Sequence, residues 1–300
     1  MAPPASRGAL VQSLERHTAL AGAPRLLKLL RHPARELRFR LVWRLRLAEQ
    51  EAVAPLFSGR RLRVLLPEKV AIDIYRHGVY EAPLSHVLIE HLRPGMVFAD
   101  VGAHYGYHSL LATDLVGPDG LVVAFEPSRR TFGLLRRNLA GLPNVRTENV
   151  AAHSRSGQAV ISDFGPRHSA FNTLLGQARL PEADRRSLRA QEYEVECLRL
   201  DDYFAAAGRA PDFVKIDAES VELEVLRGME RLLRERGPLL AVETGDYDVR
   251  GSSEGAALIG YLDSLGYAAL EYEAGKLRPL RPRPRYDYDN LYFRKRPLLG

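Results

Sequence analysis

A single cysteine, Cys197, stands among 300 residues. An intramolecular disulfide and a cysteine-built zinc site are both excluded, which suits a reducing compartment such as the cytoplasm. Long apolar runs are missing as well. None approaches the ~20 residues that a bilayer-spanning helix needs, and the opening MAPPASRGALVQSLERH lacks the apolar core of a secretory signal. Excess charge is missing from most of the chain. Residues 1–50 hold ten Arg/Lys and three Asp/Glu, a balance of +7, so the rest sums to −1 against a total of +6. A near-neutral body argues against a general nucleic-acid binder.

What is present is ordinary globular composition, 46% hydrophobic and 27% charged, in a chain long enough for a sizeable core. Residues 25–47, RLLKLLRHPARELRFRLVWRLRL, mix leucines with eight Arg/Lys, and Pro33 predicts a break between two helices. Such a helix either packs its apolar stripe on the main domain, the preferred reading, or lies on an anionic membrane surface. From residue 96 onward, short apolar runs alternate with amphipathic stretches. Strands are predicted near 96–101, 121–125, 145–151, 159–164, 211–216, 239–242 and 291–293, with helices between them. This rhythm predicts an α/β fold with a parallel sheet covered on both faces. Residues 163–192 interrupt it with a polar, turn-rich stretch, read as a lid or substrate loop or as a surface insertion.

Three stretches carry chemistry. FADVGAHYGYHS sets Asp100 near a strand end, followed by Gly102 and Gly106. Glycines there let the backbone turn and approach a ligand, and the next helix offers free N–H groups. The dinucleotide pattern G-x-G-x-x-G fails, because His104 and Tyr107 occupy its second and third glycine positions. The spacing D-x-G-x-x-x-G instead fits an S-adenosylmethionine site. VVAFEPS places Glu126 at the next strand end, where a carboxylate accepts hydrogen bonds from two ribose hydroxyls. DFVKIDAESVELEVLRG puts Lys215 and Asp217 on one side of a strand, with Glu219 just beyond. Asp217 and Glu219 are candidates to take a proton from a hydroxyl or to help hold a cation. Glu222 is read as a helix-entry acid. With two acids and no evident third ligand, a divalent metal is not favoured. His104, His108, His153 and His168 are candidate bases, His104 foremost because it lies in the glycine loop.

Together with GVYEAPLSHVLIEHLRPGM before the first stretch and LRLDDYF before the third, these motifs resemble the FkbM-type S-adenosylmethionine-dependent methyltransferases over about residues 76–293. The resemblance implies a Rossmann-like class I methyltransferase fold: seven strands in a mostly parallel sheet, the last antiparallel, with helices on both faces. Beside the resemblance, the charge imbalance predicts a basic helical extension over 1–60 ahead of an S-adenosylmethionine-binding domain over 61–300. The resemblance also implies O-methylation of a hydroxyl on a sugar, glycolipid or natural product. Asp100, Gly102, Ala103, His104 and Gly106 match the cofactor loop, and Glu126 and Pro127 the ribose segment. Tyr80 and Glu81 fall near the cofactor's amino-acid end, Val150 and Ala151 at the adenine edge. Lys215, Asp217 and Glu219 match the lysine-aspartate-glutamate signature. Two departures stand out: His104 where the family more often has asparagine, and Ser220 where it more often has glycine. The alternatives are a nucleic-acid methyltransferase, against which the absent N/D-P-P-Y/F motif speaks, and a non-catalytic binder of membranes or partners.

Overall fold

The computed structural model describes residues 6–24, 27, 30, 33–44, 49–165, 174, 191–245, 254–286 and 289–297. Helices α1 (Arg7–Gly22) and α2 (Pro33–Arg44) come first, α2 starting at the proline expected to break the segment. The antiparallel hairpin of β1 (Gln50–Pro55) and β2 (Arg61–Leu66) follows, then α3 (Lys69–His77) and α4 (Ala82–His91). The alternating region runs β3 (Val97–Val101), α5 (Tyr107–Val116), β4 (Leu121–Phe125), α6 (Arg129–Asn138) and β5 (Val145–Glu148). After it come β6 (Ala151–Ala152), β7 (Gly157–Asp163), β8 (Gln191–Leu198), α7 (Leu200–Ala207) and β9 (Phe213–Ile216). The chain closes with α8 (Glu222–Arg227), α9 (Glu230–Glu235), β10 (Leu239–Thr244), α10 (Glu254–Ser264), β11 (Tyr267–Glu273), β12 (Lys276–Pro279) and β13 (Asp289–Lys295).

The main sheet has the order β12-β11-β13-β10-β9-β3-β4-β5. Neighbours from β10 to β5 are parallel, and β13 runs antiparallel between β10 and β11. Six of the seven strands expected from the sequence lie in this sheet, and the β11–β12 hairpin supplies the other two of its eight. Successive strands step outward from β3 to β5, then resume on the other side of β3 at β9. That reversal opens a crevice at the carboxyl ends of β3 and β9. The strand expected near 159–164 lies outside this sheet: β7 pairs with β8 in a separate three-stranded sheet with β6.

Both faces of the main sheet are covered. Phe98 points to a core shared with α1, α3, α4, α5 and α6, while Val97, Ala99 and Val101 point to a second core under α7, α8, α9 and α10. The N-terminal helices belong to the first core. Leu10 and Leu14 of α1 are buried in it, and Ser13 Oγ donates to Phe57 O at 2.7 Å. In α2 the buried Glu36 accepts from Arg76 Nε and Nη2 at 2.7 and 3.1 Å. The boundary expected between residues 60 and 61 falls at the start of β2, within the β1–β2 hairpin, and the described residues of α1, α2 and β1 pack on the same core as α3 and α4. Among the described residues, no helix is long and apolar enough to cross a membrane. Of the interrupting stretch, only 163–165, Leu174 and 191–192 are described, and His168 lies outside the described residues.

The Arg76–Glu36 pair generates a test. Arg76→Ala leaves the Glu36 carboxylate buried without its partner, at a cost of about 3 kcal/mol. Denaturant unfolding should show that loss, and an unchanged midpoint would mean that α2 does not contribute to the core.

Candidate active site

Register pairs Asp100 of β3 with Lys215 of β9. The Lys215 ammonium, 3% exposed, donates to Asp217 Oδ2 at 3.1 Å and to the Gly102 carbonyl at 3.0 Å, and lies 3.5 Å from Asp100 Oδ1. Burial alone would lower its pKa, but Asp217, Asp100 and Glu81 outweigh burial and raise it well above the usual lysine value. Lys215 is therefore a fixed cation rather than a base. Burial pushes Asp217 up, yet Lys215 and a hydrogen bond with Glu243 hold it below the usual carboxylate range. Asp100 is buried behind the loop, where Ser109 Oγ donates to its Oδ2 at 2.6 Å.

The loop after β3 is shaped by close approach. Gly102 has φ +72°, and a Cβ there would meet the Asp217 carbonyl oxygen at 1.8 Å. The glycine thus makes room for the Asp217 backbone carbonyl. Gly106, φ +85°, starts α5, and a Cβ there would press on Leu135 Cδ1 at 2.7 Å. His104 also adopts a positive φ of 50°. Its amide donates to Glu126 Oε2 at 2.9 Å, and the Ser128 amide donates to Glu126 Oε1 at 3.0 Å. Burial pushes Glu126 up to about 7 against those two donors, and pushes the His104 imidazole down to about 4. His104 is neutral at physiological pH.

A second turn follows β9. Glu219 and Ser220 have φ of 50° and 81°, and Glu222 Oε1 accepts from the amides of Ala218 and Ser220 at 3.0 and 3.1 Å. Glu222 is the helix-entry acid expected of it. The turn sets ligand oxygens of Asp217 and Glu219 within 4.8 Å of one another and of Glu243, from β10. Glu243 is the third acid that the sequence did not reveal. Glu81 (φ 42°) also lines the site and accepts from Asn290 Nδ2 through Oε1 at 2.8 Å. Its Oε2 and His108 Nε2, 3.6 Å apart, are both buried without a hydrogen-bond partner. Burial raises Glu81 to about 7 and drives His108 well below the usual histidine value.

These walls enclose a cavity of about 1160 Å³. Tyr80, Glu81, Gly102, Ala103, His104, Glu126, Pro127, Val150, Ala151, Lys215, Asp217 and Glu219 line it, and Asp100 and Gly106 do not. His108, Glu243 and Asp289 join the lining, and His153 does not. The lining carboxylates are Asp73, Glu81, Glu126, Asp217, Glu219, Glu243 and Asp289, against the two lysines Lys69 and Lys215. A cavity so acidic favours a cation.

The sequence model of the methyltransferase FkbM domain matches residues 100–269, more than half of the chain. The protein belongs to the FkbM methyltransferase family. It is 31% identical over 186 residues to the 31-O-demethyl-FK506 methyltransferase FkbM of Streptomyces tacrolimicus, covering 52% of this chain and 63% of that protein. It is 28% identical over 166 residues to the methyltransferase sdnD of Sordaria araneosa, covering 47% and 63%. The chain thus spans 63% of the length of both curated relatives. The crystal structure of a methyltransferase FkbM from Methylobacillus flagellatus is similar at 17% identity and a TM-score of 0.42, covering 76% of this chain and 56% of that one.

Glu126 and Glu222 each rise from 4.5 to about 7 on folding. Such groups bind protons more tightly folded than unfolded, so their stabilisation is complete below pH 4.5 and is lost as pH rises through about 7. The ligand-free protein should lose stability between pH 5 and 8, by up to about 1.4 kcal/mol per pH unit for each group. Glu222→Gln should flatten that slope in denaturant titrations. Stability that climbs across this window would contradict the burial of these acids.

Proposed function

We propose that this family member transfers a methyl group from S-adenosylmethionine to a hydroxyl oxygen of a small-molecule or saccharide acceptor, with no nucleic acid involved. The carrying observation is the Glu126 carboxylate, fixed by two backbone amides at the carboxyl end of β4 and facing an acidic cavity at the point where strand order reverses. The residues fit the cofactor. Glu126 retains acceptor capacity for two ribose hydroxyls. The orphaned acceptor Glu81 Oε2 suits an ammonium, with Tyr80 beside it. Val150 and Ala151 offer apolar contact for the adenine edge. The bound cofactor would supply a methyl group activated by a sulfonium.

The protein's part is to bind, align and manage a proton. Alignment can contribute about 7–11 kcal/mol in well-oriented systems. Lys215 keeps Asp217 ionised, and Asp217 and Glu219 stand where they can orient an acceptor hydroxyl and take its proton, worth on the order of 10²–10⁴-fold. Neutral His104 remains a secondary acceptor for that proton. An oxygen acceptor agrees with the name of the Streptomyces relative, a 31-O-demethyl-FK506 methyltransferase. The reading requires no divalent metal. The Asp217–Glu219–Glu243 cluster supports a metal-assisted alternative, which loss of activity on chelation and rescue by Mg²⁺ would establish.

In calorimetric titration with S-adenosylhomocysteine, Glu126→Ala should bind more weakly by about 1.5–3 kcal/mol. Asp217→Asn and Glu219→Gln should bind normally, yet each should lose about 10²-fold in turnover in a product-coupled screen over hydroxylated small molecules, sugars and glycolipids. Unchanged affinity in folded Glu126→Ala would sink the ribose assignment, and full turnover in both amide variants would remove these carboxylates from the mechanism.

A further inference from the structure

Exposed leucines gather on α2 and just before it. Leu27, Leu30, Leu37 and Leu41 are 47%, 71%, 67% and 51% exposed, four of the six exposed large hydrophobics among the described residues. Within α2 the exposed Ala34, Leu37 and Leu41 step by three and four, the spacing of one helical side, while Leu27 and Leu30 lie before α2 begins at Pro33. Arg38 and Arg40 flank this α2 stripe and are themselves exposed. Arg38 touches Glu51 O at 3.3 Å and Arg40 Nε stands 4.0 Å from Glu36, contacts that leave much of each guanidinium in solvent. Glu36 and Phe39 lie on the opposite side of the helix, Glu36 bound by Arg76 and Phe39 lining the cavity.

Charge decides what covers this stripe. Residues 25–47 carry eight Arg/Lys and one acid. That acid is Glu36, buried and already paired, so it cannot offset the basic charge at the surface. A second copy of the chain would bring arginine against arginine, which repels. A nucleic acid would answer the arginines and leave the leucines in water. An anionic lipid surface answers both: side chains such as Leu37 and Leu41 enter the headgroup–acyl boundary while the flanking arginines meet lipid phosphates.

We infer that the leucine–arginine face of α2 docks the protein on anionic membrane surfaces, with α2 forming both the contact and, through Phe39, a wall of the cavity. Docking is independent of the transferase reading, since vesicles test the one and S-adenosylhomocysteine the other. The full chain should co-sediment with phosphatidylcholine vesicles containing about one third phosphatidylglycerol and not with phosphatidylcholine alone. Raising salt from ~0.1 to ~0.5 M should weaken binding about tenfold. Leu37→Asp/Leu41→Asp and Arg38→Gln/Arg40→Gln should each weaken it by about tenfold or more. Because these side chains are exposed, both variants should keep the wild-type melting temperature and S-adenosylhomocysteine affinity. Absence of vesicle binding, binding indifferent to the leucines, a leucine-dependent dimer in light scattering without vesicle binding, or retention of duplex nucleic acid that survives Leu37→Asp/Leu41→Asp would each overturn the inference.

Discussion

One buried ammonium organises the site. Lys215 sits where β3 and β9 lie side by side, with the carbonyl of Gly102 and the carboxylates of Asp217 and Asp100 around it. A buried charge survives only when its partners repay its desolvation, and removing one partner strands the others. Without Lys215, Asp100, Asp217 and Glu81 would share a low-dielectric space as like charges. With it, Asp217 stays ionised at the cavity wall, and the glycine loop is fastened to the adjacent strand by its own carbonyl. The same ammonium thus fixes the shape of the loop and the charge of the acid beside it.

Strain is concentrated around that anchor. Of the five non-glycine residues with positive φ among those described, Glu81, His104, Glu219 and Ser220 line or adjoin the cavity, and only Ala274 lies elsewhere, in the β11–β12 turn. Left-handed backbone costs an L-residue roughly 1–2 kcal/mol, and it persists where surrounding contacts over-determine it. Those contacts are visible. Glu126 receives the His104 amide, and Glu222 receives the amides of Ala218 and Ser220. His104 and Ser220, read in the sequence as departures from the family pattern, share one backbone setting, a positive φ. Asparagine and glycine are the residues that best tolerate this backbone region, and His104 and Ser220 occupy it under the same tethers.

Much of this was legible in sequence because it is local. Asp100, Gly102, Glu126 and Asp217 each sit at or just past a strand end within a short motif, Gly106 starts the helix after the first of them, and the alternation of strand and helix implied the parallel sheet. What escaped depends on distant segments meeting. Asn290 reaches Glu81 across 209 positions, and Glu243 ends a strand whose acid looks like any other until β10 lies beside β9. Strand β8, QEYEVECL, does carry a period of two, with Val195 and Cys197 buried and Glu194 and Glu196 exposed, yet the polar stretch before it disguised the signal. The boundary drawn at residue 60 followed a change in charge, whereas the hairpin and core follow apolar contacts that charge does not report.

The central claim is that the Lys215 network builds a cofactor site at the β3–β9 junction. Calorimetric titration of S-adenosylhomocysteine into wild-type protein and Lys215→Met, with circular dichroism to establish that both are folded, tests it most directly. The account predicts one molecule bound per wild-type chain and affinity lower by about tenfold or more in the variant, the loss expected when a charged hydrogen-bonding anchor is removed. Equal affinity in a folded Lys215→Met protein, or no binding to wild type, would contradict it.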